Sequence, residues 1–549
     1  MSLGPRGRAG LALLIYLALW IWRPIAFHAL VHPTSLAVAP RSPDPAFFVW
    51  ALRWWPYAIA HGLDPLRPAI IGVPVGRDLT WTAPIPGPSA VLAPISVPFG
   101  PVVAFNFLLI LSIPVAALCA FLLCSRITRT FLPALAGGYV FGFSPFEIDH
   151  TSVGHLNLML AFLLPLGVYV MVLGWERSIS TRTTIVLLSA ILAFEFLTST
   201  ELFATTAAVA GVTLVLLLVM SPRDVRRRLF GVVRSVLIAY AIALVVVSPL
   251  LFAMASDPAP PVGDVPGYAS VSPAAMLIPR PFGRENLGFL SKDARATTEP
   301  SGDGYLGIPL VVIAVWFFVE RRRTVAGRVL PTLLLLLLAA ELGPRLGTIS
   351  LPWGWIWRLP PIDHAFPARL GVYIALVAGV ILSMWLSAGG PRWLRWTIAG
   401  LAIASLLPYY LILSPPSPRL DPAFAGGNGP SRLTGRDVVL VLPDHNDTAM
   451  LWQAESGMRF RLADGFTNYH ITRHHGQPRV VSQIESLGPN VALERRFGEF
   501  LRRSGVTAVI VNPSVPSPWP EVLTALGLSP QRVGGFDLYR VPTLGLSLP

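Results

Sequence analysis

Eleven apolar stretches, near residues 10–31, 103–124, 131–146, 156–174, 183–200, 203–220, 229–253, 304–320, 329–343, 367–388 and 393–413, punctuate this 549-residue sequence. A helix needs roughly 20 residues to cross a bilayer core. Repeated runs near that length leave few folds open, because in lipid every backbone polar group must be satisfied inside the chain. The expectation is an all-α polytopic membrane domain of about eleven transmembrane helices. Composition agrees: 53% of residues are hydrophobic and 13% are charged, where a soluble domain carries about 25% charged residues.

Charge placement tests the count. Basic clusters recur in alternate short loops: Arg126 and Arg129; Arg177 and Arg182; Arg223 with Arg226, Arg227 and Arg228; Arg321, Arg322, Arg323 and Arg328; Arg392 and Arg395. The eleven-span assignment puts all five on the side of Arg6 and Arg8, and the positive-inside rule makes that side the cytoplasm. The net charge of +13 is therefore read as membrane topology and not as a nucleic-acid signal. The first apolar run is taken as a retained span with a cytoplasmic N-terminus. Segments 32–102, 254–303 and 344–366, and the chain beyond 415, fall outside the cytoplasm. The short inner loops leave no room for a nucleotide-binding domain, and neither a P-loop lysine motif nor a dinucleotide fingerprint occurs.

Three regions follow: a membrane domain over 1–414, a Pro/Gly/Ser-rich linker over 415–430, and a small extracytoplasmic α/β domain over 431–549. In the last, strands are expected at Val438–Leu442, Ala508–Val511 and near 536–541, with helices at Val491–Arg503 and near 519–526. The only cysteines, Cys119 and Cys124, lie in an apolar run. They read as inert core thiols.

Polar residues in so apolar a chain mark where chemistry can occur. Asp44 opens the aromatic segment AFFVWALRWWPYAIAH, which suits a helix lying in the membrane interface. There Asp44 either caps the helix or acts as a base. The turn FEIDHTSVGHLN places Glu147, Asp149, His150, His155 and Asn157 between two spans. A carboxylate beside imidazoles serves as a general base or holds a divalent cation; the alternative is a polar turn bonded to its own backbone. Glu195 and Glu201 flank a hairpin, Glu201 at its wet end and Glu195 deeper, where an arginine from another helix would balance it. Arg284 lies in the long loop, and Asp363, His364 and Arg369 bracket a span start. An arginine there clamps a phosphate by paired hydrogen bonds or snorkels to headgroups. His470, His474 and His475 have near-helical spacing without a companion metal motif.

DPAFFVWALRWWPYAIAHGLDPL, FGFSPFEIDHTSVGHLNL, STELFAT, DGYLGIPL, FPARLGVYIAL and, in the tail, LVLP followed by AMLWQAESGMRF resemble a group of bacterial, often actinobacterial, glycosyltransferase-like membrane proteins over nearly the whole chain. The first half also resembles, mainly in topology, the GT-C membrane glycosyltransferases, which include protein O-mannosyltransferases, oligosaccharyltransferases and lipid A aminoarabinose transferases. The resemblance implies a polyprenyl-phosphate-sugar donor, a cell-envelope glycan, lipid or protein acceptor, and transfer at the outer face of a bacterial plasma membrane. Asp44 would be the catalytic base, and Asp149 would assist with the acceptor or with a divalent cation, Mg or Mn, alongside His150. His155, Glu201, Arg369 and Arg284 would bind substrate. Metal-dependent members often carry closely spaced acidic pairs in the first loop, whereas Asp44 stands apart from Asp64 and Asp78. Two other readings remain open: a lipid or polysaccharide transporter, and a non-catalytic scaffold for envelope assembly.

Overall fold

The computed structural model describes residues 4–38, 43–257, 270–278, 304–346, 348–351, 353–356, 365–407, 433–443, 448–465, 479–513 and 515–542. Arg284, Asp363, His364, the linker 415–430 and the His470, His474 and His475 cluster lie outside them.

Among the described residues, five helices are long and apolar enough to cross a membrane: Pro101–Thr128, Leu156–Trp175, Thr200–Met220, Arg223–Val246 and Pro367–Leu386. The pair Pro5–Ile21 and Pro24–Val31, bent by 94°, makes a sixth if it forms one span. The chain is a mostly helical, multi-pass membrane protein. Each of the other expected spans also contains a helix, of 11 to 17 residues. Leu132–Gly142 has 11 residues, Ile308–Arg321 has 14, Arg392–Leu406 has 15, Thr181–Phe196 has 16 and Val325–Glu341 has 17. Fourteen residues at helical rise cover about 21 Å of a hydrocarbon core about 30 Å thick. Among the described residues, five or six of the expected spans hold a helix that meets the length for crossing. The Ser180 and Thr324 side chains cap two of these helices, accepting from Thr183 N and Gly327 N.

Contacts divide the chain into two compact units. The first comprises 1–31, 108–251 and 264–414. Its most enclosed span is Pro367–Leu386, with 94% of its apolar window buried. That helix meets Leu132–Gly142 through glycines: a Cβ on Gly379 would lie 2.6 Å from the Gly137 carbonyl oxygen. Small residues allow such close backbone approach. Tyr16 donates to Leu135 O at 2.8 Å and Trp20 to Leu109 O at 3.2 Å, satisfying two buried polar tips. Several basic residues are paired: Arg126 meets Glu176 at 2.6 Å, and Arg395 meets Glu320 at 2.9 Å.

The second unit comprises 32–107, 252–263 and 415–549. Its helix Asp44–Ala60 carries a stacked aromatic stripe, with Trp50 and Trp54 centroids 5.3 Å apart and rings 15° from parallel. Both rings are at most 1% exposed. Trp50 Nε1 donates to Gln453 Oε1 at 2.6 Å, tying this helix to Thr448–Glu455. The unit holds a five-stranded sheet in the order Arg461–Leu462, Val438–Leu442, Ala508–Val511, Phe536–Arg540, Pro530–Val533. The first three strands are parallel; the last two pair antiparallel. Its core gathers Leu440, Val509, Phe497, Leu501 and Trp519, with Val73 packed against it. Residues 70–73 extend the sheet beyond its edge: Leu462 N donates to Ile70 O at 2.8 Å, and Val73 N donates to Leu462 O at 3.1 Å. Bonding of this kind covers an edge strand that would otherwise present unpaired N–H and C=O groups.

Candidate functional site

The site begins with a short helix, Pro145–Val153, in the first unit. Pro145 is tolerated at its first turn, where the missing N–H costs nothing. Ser144 caps it, accepting from Glu147 N at 3.4 Å. Ser144-x-x-Glu147 has capping-box spacing, yet the Ser144 amide is already used by Phe141 O at 3.1 Å. The Glu147 carboxylate is fully buried, and neither oxygen has a hydrogen-bond partner.

Gly154, at φ +75°, ends the helix in the left-handed conformation that glycine adopts without strain. The chain then reverses, and His155 N donates to His150 O at 2.9 Å. This local turn sets the two imidazoles against each other, with Nδ1 to Nδ1 at 2.9 Å. His150 is 3% exposed and also stacks edge-on to Phe146, with centroids 4.5 Å apart.

Two distant segments complete the cluster. Glu201 lies in the first turn of Thr200–Met220, capped by Ser199, where the helix dipole favours a carboxylate. Its Oε1 accepts from Phe366 N at 3.1 Å. The turn Pro367–Leu370 carries Arg369, 6% exposed. Arg369 Nη1 lies 3.1 Å from His150 Nε2, and its Nε lies 3.6 Å from Glu201 Oε2. A guanidinium buried this deeply requires a compensating carboxylate, which Glu201 supplies. Phe366 places its ring under the guanidinium at 5.4 Å.

His150, His155, Glu201 and Arg369 therefore converge, although the sequence separates them by up to 219 positions. Asp149 is half-buried on the helix of His150. Asp44 opens the helix Asp44–Ala60 in the second unit. Glu195 pairs differently from the expected arginine contact: Thr206 Oγ1 donates to its Oε1 at 2.8 Å. Thr206 also sits 2.9 Å from the Tyr373 hydroxyl, and Thr205 2.8 Å from it. A small apolar cleft is lined by Leu160, Leu164, Ser199, Leu202 and Tyr373, with Glu195 at its wall. Sequence reasoning passed over the Phe366 amide, Tyr373 and the two threonines, since a backbone N–H or a hydroxyl inside an apolar run carries no distinctive signal.

A cation would need free donor atoms. Both His150 ring nitrogens are engaged, at 2.9 and 3.1 Å, the second by a guanidinium. Among the described residues, no three His, Cys, Asp or Glu side chains converge as ligands. The arrangement does not fit a metal ion at His150. It presents hydrogen-bond donors and positive charge, which suit an anion.

Solved structures share this fold. Arabinofuranosyltransferase AftD from Mycobacteria matches with a TM-score of 0.54 at 15% identity, over 98% of this chain and 40% of AftD. ArnT from Cupriavidus metallidurans, bound to undecaprenyl phosphate, matches with a TM-score of 0.50 at 12% identity, over 97% of both chains. The apo oligosaccharyltransferase of Archaeoglobus fulgidus matches at 0.51 and 11% identity, over 92% of this chain and 69% of that one. This chain spans about two fifths of the length of AftD. It has the fold of the GT-C membrane glycosyltransferases, as the motif resemblance implied. By sequence, the family model described as "Domain of unknown function (DUF6311)" matches residues 12–348, and the chain belongs to that family. No curated protein matches it.

Proposed function

We propose that this protein is a membrane glycosyltransferase that moves a sugar from a polyprenyl-phosphate carrier to a cell-envelope acceptor on the outer side of the bacterial plasma membrane. The observation that carries this reading is the buried Arg369, held by Glu201 and joined to His150 and His155, in a chain with the GT-C fold. The undecaprenyl phosphate bound to ArnT is the class of carrier proposed here.

The reaction balances as a single displacement. An acceptor hydroxyl attacks the sugar C1, a new C1–O bond forms, and the C1–O bond to the carrier phosphate breaks with its electron pair. The phosphate departs on the lipid. The hydroxyl proton passes to a carboxylate base, for which Asp44 is the proposed residue; one displacement inverts the anomeric centre. Asp149 assists the acceptor. Arg369 stabilises the growing phosphate charge, an effect stronger in a site that excludes water.

The test is transfer from purified polyprenyl-phosphate-sugars by the protein in liposomes. Arg369→Gln should reduce kcat by about 100-fold or more, the scale of removing one charge-stabilising donor. Asp44→Asn should abolish most of the remaining rate. Full activity in Asp44→Asn removes that residue as the base, and absence of transfer across donor classes overturns the reading.

A further inference from the structure

We propose that the hairpin formed by strands Arg345–Leu346 and Ile349–Ser350 is a membrane-surface contact, in which Leu346 and Ile349 dip to the boundary between lipid headgroups and acyl chains while Arg345 stays among anionic phosphates. The proposal goes beyond the transferase reading and does not depend on it.

The pairing register divides the hairpin into two faces. Leu346 stands opposite Ile349, and Arg345 opposite Ser350. Directly paired residues share a face, and successive residues alternate between faces. One face is therefore Leu346 with Ile349, the other Arg345 with Ser350. The apolar face is open: Leu346 is 42% exposed and Ile349 63%. Trp355, in the short helix Trp353–Ile356, is 70% exposed. The base, in contrast, is rooted. Leu351 N donates to Pro344 O at 2.9 Å, Gly354 N donates to Leu351 O at 3.0 Å, and Trp353 is buried. A two-stranded hairpin is marginal in water by itself. Large apolar groups held out on a fixed base mark a contact surface.

Three observations select lipid for that contact. The hairpin follows the apolar helix Val325–Glu341 after three residues. Leu335 and Leu336 on that helix are exposed, and in a multi-pass membrane protein such side chains face acyl chains. Leu335 lies about 9 Å before the helix end at helical rise, so lipid reaches toward the hairpin. The second observation is the open sheet. Among the described residues the hairpin has two strands only, and its outer edges carry backbone N–H and C=O groups that hydrocarbon leaves unsatisfied. The hairpin therefore stops at the hydrated headgroup layer. The third is the division of charge. An interfacial element turns apolar side chains toward acyl chains and basic ones toward anionic headgroups, which is the division between the Leu346–Ile349 face and Arg345. Trp355 adds a side chain enriched at this depth.

The experiment places nitroxide labels on single introduced cysteines in the full chain, reconstituted in vesicles of phosphatidylcholine and phosphatidylglycerol. Cys119 and Cys124 are buried, and the unsubstituted protein carried through the same labelling gives the background. Collision with oxygen, which concentrates among acyl chains, is compared with collision with a water-soluble nickel chelate. Leu346→Cys and Ile349→Cys should show oxygen-to-nickel ratios several-fold above Ser350→Cys, approaching Leu335→Cys as the lipid-facing reference. Arg345→Glu should lower the ratio of the Ile349→Cys label in these vesicles, and lower it less in phosphatidylcholine alone. Ratios at 346 and 349 equal to that at 350 overturn the proposal, since the hairpin then stands in water. Labels shielded from both reagents also overturn it, since protein, such as a second copy of the chain, then covers the face. A ratio unmoved by Arg345→Glu in either vesicle overturns the headgroup half of the contact. Leu346 and Ile349 are labelled separately, so failure of one variant to fold leaves the other to decide.

Discussion

Asp464 shows how a single buried carboxyl ties the second unit to pH. It is 3% exposed. Burial pushes its carboxyl up from 3.8 to about 7, against the opposing pull of a backbone N–H and the Arg77 guanidinium. Glu455 rises from 4.5 to about 7, again by burial. A carboxyl raised in the folded state binds its proton more tightly there than in the unfolded chain. Its contribution is therefore greatest below the unfolded value and is lost as pH climbs to about 7. Asp437 runs the other way. Burial raises it, but hydrogen bonds from Thr434 and Thr507 and the Arg540 charge outweigh that and lower it, so its contribution is lost as pH falls. Exchange protection of the Gly72 and Val73 amides, corrected for intrinsic rates, should fall between pH 5 and pH 7.5, and Asp464→Asn should flatten most of that slope. An unchanged slope in Asp464→Asn would assign the effect elsewhere. At this scale the candidate site was partly legible. His150, His155, Glu201 and Arg369 stood out because charge and imidazole are costly in an apolar chain. Their convergence was not legible, since nothing local links Arg369 to a histidine 219 positions away.

Helices in the first unit depend on where glycine is placed. The backbones of Leu132–Gly142 and Pro367–Leu386 approach so closely that a Cβ at Gly379 would meet Gly137 O at 2.6 Å, and one at Gly137 would meet Cys124 Sγ at 2.8 Å. Gly400, inside Arg392–Leu406, has nothing within 4 Å. The two sites should respond in opposite directions. Gly379→Ala should destabilise by about 1–3 kcal/mol, the range for overpacking. Gly400→Ala should be neutral or stabilising by up to about 1 kcal/mol, since alanine loses less backbone freedom. Thermal unfolding of the two variants in the same detergent separates packing from propensity, and equal shifts would deny the close approach. Apolar periodicity found where helices occur, at every expected span. It misplaced ends: Leu132–Gly142 stops short of the expected 131–146, and Val325–Glu341 begins at its Thr324 cap, before the expected 329–343.

Over the whole chain, contacts group residues 32–107 with residues 415–549. Sequence order gives no hint of this. Residues 70–73, Ile-Ile-Gly-Val, lie amid prolines and glycines and show no alternation, so they do not read as a strand. Their role appears only through Leu462, which exchanges hydrogen bonds with Ile70 and Val73. Gln453 is held likewise, accepting from Trp50 and donating to Ile70 O at 3.1 Å. Excising residues 433–549 would strip the edge strand Arg461–Leu462 of these partners and leave the buried Gln453 amide short of two hydrogen bonds. Each such loss costs about 1–3 kcal/mol when the group stays buried, and an uncovered edge recruits other chains. The excised piece should therefore melt at lower temperature than a protein joining 43–107 to 433–549, and should self-associate in size-exclusion chromatography. A Trp50→Phe change in the joined protein should give part of that loss, since it removes one donor while keeping the ring stack. If the excised piece is monomeric and melts with the joined one, residues 70–73 are dispensable, and the sheet is complete from its own five strands.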